Sequence, residues 1–210
     1  MNLTEHEISA LKAACRQFVY FMLTYFFVFS IYRVSLEFRN KTFGEMGVIE
    51  NLQFALLAIS GIIFTVHACM YKEWRDTSFL LASCCFLASF RELDKFFEHN
   101  SQFISWKVGF VFPIAALLYA GKNFEKSVKN ILEFIAKPSF FMMCFAVIMI
   151  LPVAQFIGHR PFVVAVLGDN RLTPRVKEFF EECCESIGYF IIVLASLEYC
   201  INTHRDSNNS

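Results

Sequence analysis

Apolar residues occur along the chain in six runs, and short polar segments separate one run from the next. Each run, taken with the polar turn beside it, approaches the roughly 20 helical residues that cross a bilayer core. The pattern therefore predicts an all-α fold, a polytopic transmembrane helical bundle of about six spans. The predicted spans cover approximately residues 15–33, 48–71, 77–99, 103–121, 138–158 and 176–202.

The composition also favours a membrane protein. Hydrophobic residues make up 56% of the 210 residues and charged residues 18%, against about 25% charge in a typical soluble domain. The apolar runs extend from Phe18 to Ile201 with short breaks, so residues 1–210 are expected to form a single integral membrane domain. The formal net charge is zero, which gives no reason to expect a nucleic-acid partner.

Two helices are expected at the membrane surface. Thr4 and Glu7 have the spacing of a capping box, which predicts a short interfacial helix that leads into the first span. Glu5 and Glu7 stand where the basic segment of a signal peptide would lie, so the first span is expected to act as its own targeting signal. An amphipathic helix is expected between spans four and five. Its predicted apolar face is formed by Phe124, Val128, Ile131 and Phe134.

The third and sixth apolar runs are too short to cross a bilayer alone. Residues 79–90 form an apolar run of roughly 18 Å at 1.5 Å per residue, whereas the hydrocarbon core is about 30 Å thick. Residues 187–201 fall short by about one helical turn. Both spans must therefore draw charged residues into the apolar layer. These residues are Arg91, Glu92, Asp94 and Lys95 in span three, and Glu181, Glu182 and Glu185 in span six.

The alternation of six spans brings these charges to one face of the membrane. The start of span two, the end of span three and the start of span six all lie there, which predicts a polar cup with three helical walls. Charged groups inside a membrane are costly and usually mark function. The residues predicted to bind a substrate or partner in this cup are Glu50, Asn51, Arg91, His99 and Arg160.

The chemistry of this cup is open at the level of sequence. Carboxylates in a desolvated site are suited to acid and base catalysis or to binding a divalent cation. The same charges could instead form salt bridges that only hold the bundle together. The candidate catalytic residues are Glu92, Asp94, Glu182 and Glu185. The candidate metal ligands are Glu98, His99, Glu181, Glu182 and Glu185, and a divalent cation is the one cofactor expected.

Three functions fit the pattern. We expect a non-catalytic sensor, immunity or assembly subunit whose cup binds a lipid headgroup or a membrane-protein partner. A membrane-embedded enzyme acting on a lipid or lipid-linked headgroup by acid–base or metal-assisted chemistry is the first alternative. Proton or cation transport is the second. Chain length and composition are typical of a bacterial inner-membrane protein, and the lysine-rich connection between spans four and five indicates that both termini are cytoplasmic.

Overall fold

The computed structural model describes residues 4–38, 47–94, 105–157, 159–167 and 173–209, and these residues are almost entirely helical. No strand occurs within these ranges, which confirms the predicted all-α class. The helices are α1 (Glu5–Phe38), α2 (Val48–Met70), α3 (Arg75–Glu92), a 3₁₀ helix (Trp106–Phe110) that continues into α4 (Val111–Gly121), α5 (Phe124–Ile135), α6 (Pro138–Ile157), α7 (Arg160–Leu167) and α8 (Thr173–Asn209).

Four helices in the described part of the chain are long and apolar enough to cross a membrane. They are the segment Glu7–Val34 of α1, the whole of α2, the whole of α6, and the segment Lys177–His204 of α8. These four segments coincide with predicted spans one, two, five and six. Their length and composition identify the chain as an integral membrane protein.

The third and fourth predicted spans correspond to shorter helices. Helix α3 has 18 residues, which is about 27 Å at 1.5 Å per residue. The segment Trp106–Gly121 is apolar but shorter than the four long helices. Span three was expected to continue to residue 99 and span four to begin at residue 103, and residues 95–104 lie outside the described ranges.

The predicted capping box begins α1. The carboxylate of Glu7 accepts a hydrogen bond from the backbone N–H of Thr4 at 2.7 Å, and the Thr4 hydroxyl accepts one from the N–H of Glu7 at 3.3 Å. The prediction of a separate short interfacial helix was wrong, because α1 continues without a break to Phe38. No Gly or Pro interrupts this sequence, and these are the residues that most often end a helix.

Helix α3 returns antiparallel along α2. Close to the turn between them, His67 lies 2.9 Å from the hydroxyl of Ser78. Further along the pair, the ring of Phe86 lies against Gly61, where a Cβ would come within 2.8 Å of it. The absence of a side chain at Gly61 therefore makes room for the Phe86 ring where the two helices meet.

Helix α8 runs parallel to α2 on its other side. Gln53 near the start of α2 contacts Ser186, and His67 near its end contacts Thr203. The residue offsets are nearly equal at the two contacts, as expected for parallel helices that rise at the same rate. Helices α2, α3 and α8 thus form the centre of the bundle.

Helix α6 packs against α8 through small residues. A Cβ at Gly188 would come within 2.9 Å of the carbonyl oxygen of Ala146, so the two backbones approach closely here. One turn of α6, Met149–Val153, is π-helical and contains Pro152. Proline has no N–H to donate, and a widened turn accommodates it inside a helix.

Helices α1 and α4 lie on the outside of this arrangement. Phe27 of α1 stacks on Phe190 of α8 with ring centroids 4.2 Å apart. Tyr119 of α4 meets Phe79 of α3 edge to face at 5.6 Å. Most apolar side chains of α1 point away from the bundle, as is suitable for a helix surrounded by lipid.

Helix α5 confirms the predicted amphipathic helix but uses a different face. The hydroxyl of Ser127 donates to Asp76 at 3.1 Å, and the amide of Asn130 donates to the backbone carbonyl of Glu73. Phe134, predicted to belong to the apolar face that meets the membrane, is buried against the protein beside these two polar residues. The side chains that point outward are Phe124, Val128, Leu132 and Ile135. Helix α5 therefore has three sides: one on the α2–α3 turn, one apolar and one charged.

Candidate functional site

The end of α3 meets α8 through charged groups. The hydroxyl of Tyr189 donates to Glu92 at 2.7 Å. Arg91 lies 3.7 Å from the same carboxylate and 3.8 Å from that of Glu185. The side chain of Glu92 is 10% exposed, against 48% for Arg91. Because a carboxylate in an apolar layer requires donors, Tyr189 and Arg91 stabilise Glu92 in this position.

Helix α2 reaches the same part of α8 through Gln53, which is fully buried. Its amide nitrogen lies 2.9 Å from the carboxylate of Glu182, 3.1 Å from the backbone carbonyl of Glu182 and 3.1 Å from the hydroxyl of Ser186. Its amide oxygen has no hydrogen-bond partner. The amide nitrogen of Gln53 thus has three hydrogen-bonding neighbours, whereas its amide oxygen has none.

These two sets of contacts form one polar cluster. Glu182, Glu185, Ser186 and Tyr189 follow the i, i+3, i+4, i+7 spacing of a single face of α8. We call this cluster the cup, and it consists of Gln53, Arg91, Glu92, Glu182, Glu185, Ser186 and Tyr189. Its residues come from α2, α3 and α8, which correspond to the predicted spans two, three and six.

Other residues predicted for the site lie at its edge. Asp94 accepts a hydrogen bond from the backbone N–H of Trp106 at 3.4 Å. Glu181 lies 3.5 Å from Lys177, one turn earlier on the same helix. Asn51 is exposed and donates to the carbonyl of Gly47 at 3.0 Å. The Asn51 side chain therefore bonds within the start of its own helix and not to the other helices of the cup.

Three predicted residues cannot be placed in the cup. Glu98 and His99 lie outside the described residues, as does the side chain of Arg160. Glu50 is half-buried in the first turn of α2. Among the side chains that the structure describes, no group of three or more His, Cys, Asp or Glu is arranged to hold a metal ion. The divalent cation therefore stays a prediction.

Sequence reasoning missed Gln53, Ser186 and Tyr189, which make the contacts between helices. Glu50 and Asn51 were predicted in place of Gln53, because polarity at a helix start was the signal used. A better signal was available. Gln53 is followed one turn later by the core residue Leu57, so it lies on the inner face of α2, as side chains four residues apart share a face.

The cup is acidic. Its acidic and basic members are the carboxylates of Glu92, Glu182 and Glu185 and the guanidinium of Arg91, and these four groups carry a formal charge of −2 when all are ionised. The one base is shared between two of these carboxylates. Such a cluster is suited to a group that carries positive charge or hydrogen-bond donors.

An apolar groove of about 690 Å³ begins at the cup. Its walls are α3 and α6, and its floor is formed by α2 and α8. From Leu81 to Arg91 the α3 wall rises about 15 Å, half the thickness of a hydrocarbon core about 30 Å thick. Arg91 and Tyr189 line the groove at its polar end, so these two residues belong to both the groove and the cup.

A second polar network lies at the opposite end of the central helices. The two ring nitrogens of His67 lie 2.9 Å from the hydroxyl of Ser78 and 2.6 Å from that of Thr203. The phenol of Tyr199 lies 3.0 Å from the Ser78 hydroxyl. All four side chains are buried. This network ties α2, α3 and α8 together, and no motif in the sequence predicted it.

A buried ion pair holds α1 on α8. Nε and Nη2 of Arg16 donate to the two carboxylate oxygens of Glu198 at 2.5 and 2.7 Å. Tyr20 and Asn202 donate to the same carboxylate at 3.0 and 3.2 Å. The two opposite charges of Arg16 and Glu198 therefore neutralise each other in this contact.

No protein-family model, curated protein or solved structure matches this chain.

Proposed function

We propose that this protein is a non-catalytic membrane subunit that binds an amphiphile, with a hydrocarbon chain in the groove and a polar end in the cup. One observation carries the proposal. Arg91 and Tyr189 line the apolar groove and also make the hydrogen bonds and ion pairs of the cup. A molecule lying along the groove would therefore place its end against fixed polar groups.

The lining of the groove matches a hydrocarbon chain with one polar end. Its lining residues are apolar along its length of about 15 Å, except at the end formed by Arg91 and Tyr189. Its volume also lies within the roughly 300–1,000 Å³ typical of small-molecule sites.

The cup supplies selectivity that an apolar groove lacks. Lipid tails are as apolar as leucine, so burying a tail against protein gains little compared with leaving it in the bilayer. Fixed hydrogen-bonding groups at the end of the groove distinguish one amphiphile from the surrounding lipids. Binding would then be coupled to α3 and α8, the two helices that Arg91 and Tyr189 connect through the cup.

We further propose six membrane crossings, with both termini cytoplasmic in a bacterial inner membrane and the cup near the outer face. The antiparallel packing of α3 on α2 supports a third crossing, and the packing of α4 on α3 supports a fourth. Helix α5 supports the orientation, because it carries outward apolar side chains and, with the turn before it, the exposed Lys122, Lys126 and Lys129. Such a helix fits the lipid headgroup layer of an anionic cytoplasmic leaflet.

A photo-cross-linking experiment tests the binding function. The full chain would be reconstituted in phosphatidylcholine nanodiscs with a hexadecanol probe that carries a diazirine in its chain. Cross-links mapped by mass spectrometry are expected on the groove walls formed by α3 and α6. Cys84 lines the groove and is exposed, so Cys84→Trp fills the groove without removing a core side chain. We expect this variant to lose most of the cross-linking.

Cys69→Trp is the matched control. Cys69 is also an exposed cysteine of a central helix, but it does not line the groove. Equal cross-linking of the two variants, or cross-links spread evenly over all lipid-facing helices, would show that the groove binds no amphiphile. Turnover of a lipid headgroup by the wild-type protein that is lost in Glu92→Gln would replace this proposal with the enzyme alternative.

A further inference from the structure

Arg91 is the one charged residue that lines the groove, among the residues that the structure describes. Its side chain is 48% exposed, and its nearest acidic neighbours are Glu92, 3.7 Å from Nε, and Glu185, 3.8 Å from Nη2. Both distances exceed the roughly 2.7–3.2 Å of a hydrogen bond, and the guanidinium donates no hydrogen bond to any described residue. A guanidinium carries five N–H donors. Arg91 therefore offers donors to a molecule that lies in the groove.

Glu185 offers acceptors on the other side of this contact. Its side chain is 21% exposed and pairs with Arg91 across the 3.8 Å gap. None of the residues that the structure describes donates a hydrogen bond to its carboxylate. Arg91 and Glu185 thus form an ion pair in which the donors of one side chain and the acceptors of the other are still available for hydrogen bonds.

The gap between these two side chains fits one bridging oxygen atom. An oxygen about 2.9 Å from Nη2 of Arg91 can also lie about 2.8 Å from Oε1 of Glu185, because these two atoms are 3.8 Å apart. Such an oxygen accepts from the guanidinium and must carry a hydrogen to donate to the carboxylate. A hydroxyl group has both an acceptor and a donor. Since Arg91 itself lines the groove, a hydroxyl at the polar end of the groove reaches both side chains.

We infer that the amphiphile ends in an uncharged, hydroxyl-bearing head of the glycerol or sugar kind, which bridges Arg91 and Glu185 while its chain lies in the groove. The inference rests on the proposed binding function. The two side chains carry opposite charges, so an uncharged head leaves their balance unchanged. A carboxylate head lacks the hydrogen that Glu185 requires, and an ammonium head lacks the acceptor that Arg91 requires.

A competition experiment with ligands of one chain length tests the inference. The full chain in phosphatidylcholine nanodiscs is labelled with the diazirine hexadecanol probe. Unlabelled hexadecanol, hexadecyl methyl ether, hexadecylamine and hexadecanoate are then added as competitors. The ether keeps the acceptor for Arg91 but has no O–H for Glu185. We expect hexadecanol to compete about tenfold more strongly than the ether, the factor of one hydrogen bond to a charged group. Hexadecylamine and hexadecanoate should also be weaker than hexadecanol.

Substitutions of Glu185 assign the preference to the bridging pair. Glu185→Leu removes the acceptor and should bring hexadecanol and the methyl ether to equal strength. Glu185→Gln keeps an acceptor oxygen and should retain part of the preference. Each result is a ratio of two competitors on one variant, so a partial loss of folded protein does not alter it.

A substitution of Arg91 tests the other side of the bridge. Arg91→Met removes the donors and should weaken competition by both hexadecanol and the ether, since both present an oxygen to the guanidinium. Lys107→Met is the matched control. Lys107 is an exposed cation in the 3₁₀ helix that follows α3, and it does not line the groove. This variant should compete like the wild-type protein, and equal weakening in the two variants would show that Arg91 does not bind the head.

The outcomes separate the two proposals. If hexadecanol and the ether compete equally in the wild-type protein, donation to Glu185 is refuted although the groove binds chains. If hexadecylamine or hexadecanoate competes most strongly, the head is charged and the inference is wrong. If none of the four competes, the binding function itself fails. Nanodiscs that contain diacylglycerol or glucosyl diacylglycerol identify the source of the hydroxyl. Loss of probe labelling with the second lipid alone indicates a glycolipid, loss with both indicates that a glycerol hydroxyl is sufficient, and retention with both indicates a single-chain ligand.

Discussion

Replacing Arg16 with methionine should loosen α1 from the bundle. Glu198 is fully buried and accepts four hydrogen bonds, of which Arg16 provides two. Without the guanidinium, the carboxylate keeps only the donors from Tyr20 and Asn202. Removing one member of a buried ion pair costs about 3–5 kcal/mol. The Arg16 side chain is 26% exposed, so we expect a loss near the lower end, about 3 kcal/mol.

The assay is equilibrium unfolding of the purified protein in mixed micelles, with increasing SDS and detection by circular dichroism. Lys12→Met is the matched control, since Lys12 is an exposed cation one turn earlier on α1, and its removal should change stability by less than about 0.5 kcal/mol. The double variant Arg16→Met with Glu198→Met should recover much of the loss, because replacing both partners of a buried pair with apolar groups is often neutral.

Comparing the double variant with the two single variants shows whether Arg16 and Glu198 stabilise the protein together. If the double variant is destabilised by the sum of the two single losses, the residues act independently. In that case the ion pair does not hold α1 in place. A loss below about 0.5 kcal/mol for Arg16→Met would refute the estimate in the same way.

Three further substitutions test the central helices by the same unfolding assay. Tyr189→Phe removes the hydrogen-bond donor to Glu92 and should lower the free energy of unfolding by about 1.5–3 kcal/mol, as for hydrogen bonds to charged groups. The control Tyr119→Phe, on the outer helix α4, should lower it by less than about 0.5 kcal/mol, and equal losses in the two variants would contradict the Tyr189–Glu92 contact. His67→Phe leaves two buried hydroxyls without their ring partner and should cost about 2–3 kcal/mol, so a neutral result would exclude the network as a support. Gly188→Ala should cost about 1–3 kcal/mol by overpacking, whereas Gly121→Ala, with open space around it, should be neutral or stabilising.

Part of the acidic cup could be predicted from the lengths of the apolar runs alone. Spans three and six had too few apolar residues to cross a bilayer, so charges had to enter the apolar layer beside them. The shortfall predicted that Arg91, Glu92, Glu182 and Glu185 lie at one end of the bundle. In the structure Arg91 lies beside Glu92 and Glu185, and Glu182 lies one turn before Glu185 on α8, in contact with Gln53. Tyr189 could not be predicted from the sequence, because a tyrosine in an apolar run gives no signal until a neighbouring helix supplies its hydrogen-bond partner, Glu92.

The prediction of which residues form the apolar face of α5 was partly wrong for a related reason. Helical spacing showed that residues 124–134 have one apolar side, and the structure confirms a helix there. Helical spacing could not show that the α2–α3 turn would bind Ser127 and Asn130. Once these polar groups face the protein, the helix is rotated, Phe134 is buried and Leu132 points outward. Which side of an amphipathic helix meets protein depends on the groups offered by its neighbours.

The sequence by itself determined the helical class and, among its six predicted spans, the four long apolar helices, because these depend on composition and on the rise of 1.5 Å per residue. Tertiary structure decided which charges are neutralised and which acceptors are left over. Arg16 and Glu198 are 182 residues apart and pair closely, while the amide oxygen of Gln53 has no partner. Hydrogen bonds act over about 3 Å, so only the packed helices could settle these pairings and define the groove beside them.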